Sequence, residues 1–177
     1  RRAIKPGDHV IDVGANIGWY TLLFSRLSGP TGRVYAFEPL VPHEIRALMD
    51  RVSVRPQAPI HLYPCGCNND PGIKMVVRHT SAWTLLPASA GDQGAVEVEY
   101  KRLDDLWKAG AVYLPDLIKI DVDGQELAVL EGCVGILKKC GPVLVLEVAP
   151  DYSRLFGRES LEALRLLQGL GYQFINE

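Results

Sequence analysis

Short apolar runs of β character alternate with longer stretches in which apolar residues recur every three or four positions. His9-Val10-Ile11-Asp12-Val13 is a five-residue run that stops at Gly14, as a parallel strand buried on both faces should. Ile17, Tyr20, Phe24 and Leu27 then mark a helix face, closed by Gly29-Pro30-Thr31-Gly32. Arg33–Phe37 predicts a second strand ending at Glu38-Pro39. Ile45, Leu48, Met49 and Val52 predict a second helix before Pro56 and Pro59, and Ile60–Tyr63 a third strand.

The rhythm breaks at Asn68-Asn69-Asp70-Pro71-Gly72, which is dense in turn-forming residues. Residues 74–78 and 96–101 read as strands around a polar loop at 88–94, so an antiparallel excursion is expected over residues 72–102. The alternation resumes with a strand at 116–120 ending at Asp121. A helix over 126–139 follows, with Leu127, Leu130, Val134 and Leu137 on one face, and then a strand over 142–146 ending at Glu147. A helix over 158–170 comes last, and Tyr172, Phe174 and Ile175 begin a further strand. Such alternation implies an α/β fold, its sheet mostly parallel and with helices on both faces. Right-handed crossovers put the strand C-termini on one edge, where open α/β sheets bind ligands. Gly14, Glu38, Asp121 and Glu147 all fall on that rim.

Composition narrows the function classes. The 177 residues suit one domain, 1–177, and 47% hydrophobic with 23% charged residues is ordinary for a globular protein. A net charge of −2 gives no basic field for nucleic acid. No apolar run is long enough for a membrane span and no signal-peptide pattern opens the chain, so no membrane partner and a cytoplasmic location are expected. Cys65, Cys67, Cys133 and Cys140 are too few for a disulfide scaffold. Cys65-x-Cys67 has no second pair at metal-binding spacing, and Cys133 and Cys140 are expected to share a helix face.

Asp12-Val13-Gly14-Ala15-Asn16-Ile17-Gly18 joins a strand to a helix, and its glycines permit a tight turn with close approach of a ligand. The N–H groups of the following first turn are expected to face a polar ligand group. Glu38 lies twenty residues beyond Gly18 at the end of the next strand, where an acid accepts hydrogen bonds from ribose hydroxyls. Both features suit NAD and S-adenosylmethionine alike. They part at Asn16, which stands where the dinucleotide fingerprint has its second glycine, and at Asp12, whose carboxylate suits the ammonium of an amino-acid ligand and repels a pyrophosphate. The expected arrangement is an adenosyl amino acid across the rim, its ammonium toward Asp12 and its sugar held by Glu38.

DVGANIG, VYAFEP, LDDL and LIKIDVDGQE, in that order and followed by Glu147, resemble the FkbM family of methyltransferases from about Pro6 to Glu147. The resemblance implies a Rossmann-like class I methyltransferase sheet, S-adenosyl-L-methionine as cofactor, and O-methylation of a hydroxyl on a small molecule or glycan. Position by position it implies cofactor binding by Asp12, Gly14, Asn16 and Gly18, with Ala15 in the same loop and Pro39 beside the ribose acid Glu38. Asp121 matches the acid beside the methyl group. Asp123 stands where the family commonly has glutamate. Gly66-Cys67-Asn68-Asn69 replaces the more usual Ala-Leu-Ser-Asp, which puts Asn69 where the family carries a carboxylate and makes residues 65–69, Gly66 and Cys67 among them, the adenine-pocket candidates.

An alcohol needs help to lose its proton, and Asp121 and Glu147 are the candidate bases. Asp121, Asp123 and Glu147 together also have the chemistry magnesium favours, although the reading adopted assigns no metal. His9 and His61 read as structural; His43, near the rim, and His79, beside Thr80-Ser81-Ala82-Trp83, are candidates for a base or an acceptor-binding group, with plain exposure the alternative. Trp83, Tyr152 and Phe156 are candidates for an apolar acceptor wall, with core packing the alternative. The fold usually begins with a preceding helix and ends with further strands, so truncation at both ends is one reading of the length. The alternatives are a non-catalytic nucleotide-binding module and an NAD-dependent oxidoreductase.

Overall fold

The structure is a computed structural model and describes residues 3–41, 57–78, 84–148 and 150–175. The helix expected over 45–52, together with His43, His79 and Trp83, lies outside the described residues. The main sheet contains β1 (His9–Val13), β2 (Arg33–Phe37), β3 (Ile60–Tyr63), β8 (Leu117–Ile120) and β9 (Val143–Leu146), in the order β3-β2-β1-β8-β9 with every pairing parallel. A second sheet, ordered β4-β7-β5-β6, holds β4 (Gly66–Cys67), β5 (Gly72–Arg78), β6 (Leu85–Pro87) and β7 (Val96–Lys101). Its β5 pairs antiparallel with β6 and β7, which is the excursion expected from the sequence.

Side chains alternate across a strand, and here the two faces are distinct. Ile11, Val13, Tyr35, Phe37, Ile118 and Ile120 point to one side. They pack there against α3 (Glu126–Glu131), α4 (Val134–Cys140) and α6 (Ser160–Gly169). Val10, Val34 and Leu117 point to the other side and meet Phe24 of α1 (Trp19–Ser28). Helices therefore cover both faces. The buried stripe of α1 is Thr21, Phe24, Ser25 and Ser28, whereas Tyr20 and Leu27 are exposed. Small and hydroxylated residues on that stripe let the helix sit close to the sheet, which hid its inner face from an apolar-only reading.

The helix expected over 126–139 is two helices, broken at Gly132-Cys133. The break is filled by α2 (Leu103–Lys108). Asp104 donates its backbone N–H to the Gly132 carbonyl at 3.1 Å, and its carboxylate accepts from the N–H groups of Gly135 (2.8 Å) and Ile136 (2.9 Å). Free N–H groups at a helix start need such an acceptor, and a buried carboxylate provides two. A further short helix, α5 (Pro150–Leu155), precedes α6. Tyr172 packs on the core, but Tyr172, Phe174 and Ile175 form no strand. All four cysteines are free thiols; Cys133 is buried at the break and Cys140, at the end of α4, is exposed. No helix among the described residues is long and apolar enough to cross a membrane.

Asp104→Ala should lower unfolding free energy by about 1–3 kcal/mol in urea melts, since two helix-start donors lose their acceptor in a buried place. Asp105→Ala, at the exposed neighbour, should stay within about 0.5 kcal/mol of the parent.

Candidate active site

Each strand of the main sheet hands its last ladder bond to a rim residue. The N–H of Glu38 bonds Tyr63 O, that of Asp121 bonds Val13 O, and that of Glu147 bonds Ile120 O, at 3.0 to 3.2 Å. The rim is thus a continuation of the sheet and as rigid as it. Gly14 turns the chain away from β1 at φ +77°, and a Cβ there would lie 1.9 Å from the Asp121 carbonyl oxygen. Only glycine fits so close an approach.

A cleft opens above this rim. From the main sheet it is lined by Gly14, Asn16, Glu38, Pro39, Asp121 and Asp123. The second sheet closes it with Gly66, Cys67, Arg78, Thr84, Leu85 and Tyr100, and Gln125 bridges the two by donating to Leu85 O at 3.4 Å. Of the residues singled out from sequence, Gly14, Asn16, Glu38, Pro39, Gly66, Cys67 and Asp121 come together here. Ala15 packs behind the loop against Ala36, and Gly18 forms the left-handed start of α1 at φ +89°. Neither lines the cleft.

Glu38 is the best-held acid. Its Oε2 accepts from Asn16 N at 2.9 Å and its Oε1 from Leu40 N at 3.1 Å. Burial nevertheless raises its pKa, against the pull of those two N–H groups and of Arg78. Asn16 is left-handed at φ +48°, and its Oδ1 is buried with no hydrogen-bond partner; Thr84 Oγ1 is in the same state. Gly14 and Ala15 donate to Phe37 O, Asn16 to Glu38, and Gly18 to Ala15 O, whereas the first turn of α1, whose N–H groups are the ones expected to face a ligand, has no side-chain cap.

Asp12 requires a correction. Its side chain is fully buried on the α1 face of β1, where Oδ2 accepts from Thr21 Oγ1 at 2.6 Å and Oδ1 lies 3.3 Å from Lys119 Nζ. It does not reach the cleft to meet a ligand's ammonium. Strand alternation is the reason, because Asp12 shares its face with Val10 and its opposite neighbour in register is Lys119. Lys119 was missed from the sequence; its ammonium also donates to Gly14 O at 3.0 Å and pairs with Asp121 Oδ2 at 3.1 Å.

Glu147 sits on the rim but outside the cleft, within hydrogen-bond reach of Asp121. Partial burial and then the Asp121 charge push its pKa up to about 7, with Asp123 and Glu126 adding to the effect. Burial likewise raises Asp123, and the neighbouring Asp121 adds. Glu126 is turned inward, where its Oε1 accepts from Val122 N (3.2 Å) and Gly124 N (3.0 Å) and so pins the loop after β8. Among the described residues no three His, Cys, Asp or Glu side chains are grouped to hold a metal ion. His9 stacks near Tyr113, His61 near Tyr35. Tyr152 and Phe156 do not line the cleft.

The model of the methyltransferase FkbM domain matches residues 12–174. This chain belongs to the FkbM methyltransferase family. Among curated relatives it is 30% identical over 158 residues to the 31-O-demethyl-FK506 methyltransferase FkbM of Streptomyces tacrolimicus, a match covering 73% of this chain and 60% of that protein. It is 28% identical over 141 residues to the hexuronic acid methyltransferase AglP of Haloferax volcanii, covering 80% of this chain and 56% of the relative. The chain thus spans well under two thirds of the length of the curated relatives it matches. Its fold is that of the FkbM methyltransferase structure from Methylobacillus flagellatus KT (TM-score 0.58, 20% identity, 93% of this chain and 36% of that one). The precorrin-6y C5,15-methyltransferase of Geobacter metallireducens GS-15 is also similar in fold (TM-score 0.51, 18% identity, 96% and 65% covered). The Rossmann-like methyltransferase sheet expected of the FkbM family is therefore present.

The raised pKa of Glu147 carries a sign. The folded chain holds this proton more tightly than the unfolded chain, so the stabilisation is complete below the ordinary carboxylate range and is lost as pH rises through about 7. Thermal unfolding should accordingly start at a lower temperature at about pH 8 than at about pH 5.5. Glu147→Gln should remove part of that dependence, and an unchanged slope in the variant would assign the proton to another group.

Proposed function

We propose that this FkbM-family chain transfers the methyl group of S-adenosylmethionine to a hydroxyl oxygen of a small molecule or glycan. The observation that carries the reading is Glu38, a carboxylate in the cleft whose two oxygens are oriented by backbone N–H groups and retain lone pairs for vicinal hydroxyls. The two curated relatives, named as methyltransferases of 31-O-demethyl-FK506 and of hexuronic acid, support an oxygen-rich acceptor. The net charge of −2 supports a small molecule or glycan over a nucleic acid.

The residues fit the donor. Asn16 Oδ1 is a buried acceptor without a partner, and Glu38 and Asp121 are carboxylates lining the same cleft. Hydroxyls and an ammonium satisfy such a set, whereas a pyrophosphate would meet the carboxylates of Glu38, Asp121 and Asp123. That disfavours the nicotinamide-dependent oxidoreductase reading. Glu38, Asn16 and the Gly14 turn would hold the donor, with Pro39, Gly66 and Cys67 beside it. When bound, S-adenosylmethionine supplies a methyl carbon activated by a sulfonium, with a neutral thioether as the leaving group.

The chain's own work is then positioning, exclusion of water, and disposal of one proton. Asp121 lines the cleft and is the group to accept the acceptor's hydroxyl proton. Glu147 acts through it: with a pKa pushed up to about 7 by burial and the Asp121 charge, it takes up or releases a proton behind the reacting groups. The second sheet supplies the wall opposite, where Leu85 and Tyr100 shield the cleft.

Calorimetry with S-adenosylhomocysteine and with NAD tests the reading, and binding of NAD without S-adenosylhomocysteine would overturn it. Glu38→Ala should weaken S-adenosylhomocysteine binding by about 1–3 kcal/mol, the usual loss for a charged hydrogen-bond partner. Asp121→Asn should lower methyl transfer to a productive acceptor more than it lowers donor affinity. Equal losses would make Asp121 a binding group. Tight S-adenosylhomocysteine binding with no methylated product across a broad alcohol and glycan panel would favour a non-catalytic module.

A further inference from the structure

Lys119 lies inside β8 with its side chain almost fully buried, and a charge so deep needs acceptors on every side. An ammonium has three N–H bonds to give; this one hydrogen-bonds one oxygen and lies within ion-pair distance of two more. They are the Gly14 carbonyl at 3.0 Å, Asp121 Oδ2 at 3.1 Å and Asp12 Oδ1 at 3.3 Å. The Tyr20 ring of α1 stands over the ammonium, its centroid 5.2 Å away, and Asp123 is the next charged group. The first oxygen belongs to the loop after β1 and the second to the acid after β8, so one side chain ties together the two segments that form the cleft floor.

Stability alone does not call for a lysine here. The same face of the sheet carries Val10 and Leu117, and an apolar pair in place of Asp12 and Lys119 would pack there without the cost of burying charges. The cluster holds positions that an apolar pair would not. We infer that Lys119 is a positioning residue for methyl transfer: its ammonium sets the Gly14 carbonyl and the Asp121 carboxylate at a fixed separation, so that the donor loop and the rim acid meet one ligand together. This rests on the methyltransferase reading of the cleft.

Lys119→Met removes the charge at similar length but leaves Asp12 and Asp121 unpaired; adding Asp12→Asn relieves the more deeply buried of the two. S-adenosylhomocysteine affinity by calorimetry and Tm are measured for the parent and both variants. Affinity should fall about tenfold or more in both, while the double variant recovers most of the lost Tm. Affinity that recovers along with Tm would make Lys119 a stabilising element only and overturn the inference, as would parental affinity in either folded variant. If neither variant folds, the 15N signal of the Lys119 ammonium in the unmutated chain decides. It should shift on adding S-adenosylhomocysteine, and a signal indifferent to it overturns the inference. A parent chain that binds no S-adenosylhomocysteine at all fails at the methyltransferase reading itself, a result distinct from the others.

Discussion

The contact between the Gly14 turn and the end of β8 governs the site. A Cβ on residue 14 would stand 1.9 Å from the Asp121 carbonyl oxygen, so the first loop can lie against the Asp121 segment only because nothing projects from Gly14. Parallel pairing of β1 with β8 brings the two strand ends level and sets Asp12 opposite Lys119. The Lys119 ammonium then closes the gap with a hydrogen bond to one segment and an ion pair to the other. Moving either one would strip partners from a buried charge, which costs several kcal/mol. The loop and the acid therefore behave as one rigid unit.

Around that unit the labour divides between the two sheets. The main sheet's rim is polar and carries the acids, while the second sheet contributes Leu85, Tyr100 and the tight packing of Gly66 on the Tyr100 ring, where a Cβ would come within 2.5 Å. Two residues other than glycine have left-handed backbone among the described residues, Asn16 at φ +48° and Asp123 at φ +50°, and both line the cleft. Asn and Asp are the types that tolerate this conformation best, yet it still costs of order 1 kcal/mol apiece. Strain gathered at the cleft and compensated by the rigid strands behind it is the usual sign of a site organised before its ligand arrives.

Much of the main sheet was legible because buried parallel strands are short apolar runs with abrupt ends. His9–Val13, Arg33–Phe37 and Ile60–Tyr63 have the boundaries read from sequence. What stayed hidden depends on contacts distant in the chain. The apolar periodicity of residues 126–139 runs straight through the helix break, since the cause is Asp104, thirty-one residues before Gly135. Strand β6 lies beside polar turns and is held by cross-strand partners in β5 rather than by its own pattern. The Asp12 error has the same root: in a strand buried on both faces, hydrophobicity does not say which way a given side chain points. One signal was available. A lone lysine within Leu117-Ile118-Lys119-Ile120 has to find a counter-charge, and the adjacent strand offers Asp12.

That correction reshapes the electrostatics of the proposed reaction. With Asp12 occupied by Lys119, the charge balance beneath the loop is settled inside the protein, and the acids left to a ligand are Glu38, Asp121 and Asp123. They are not equivalent. Glu38 has both oxygens fixed by backbone donors and suits a neutral partner that needs orientation. Asp121 has one oxygen held by Lys119 and a proton-holding neighbour in Glu147, so it suits a partner whose charge or protonation changes. On the proposed reading, Glu38 marks the end of the cleft for the sugar and Asp121 the end for the reacting centre, without any appeal to Asp12. The methyl-transfer proposal thus does not depend on the contact first expected of Asp12, because the rim keeps Glu38 oriented at both oxygens and Asp121 in the cleft beside Lys119.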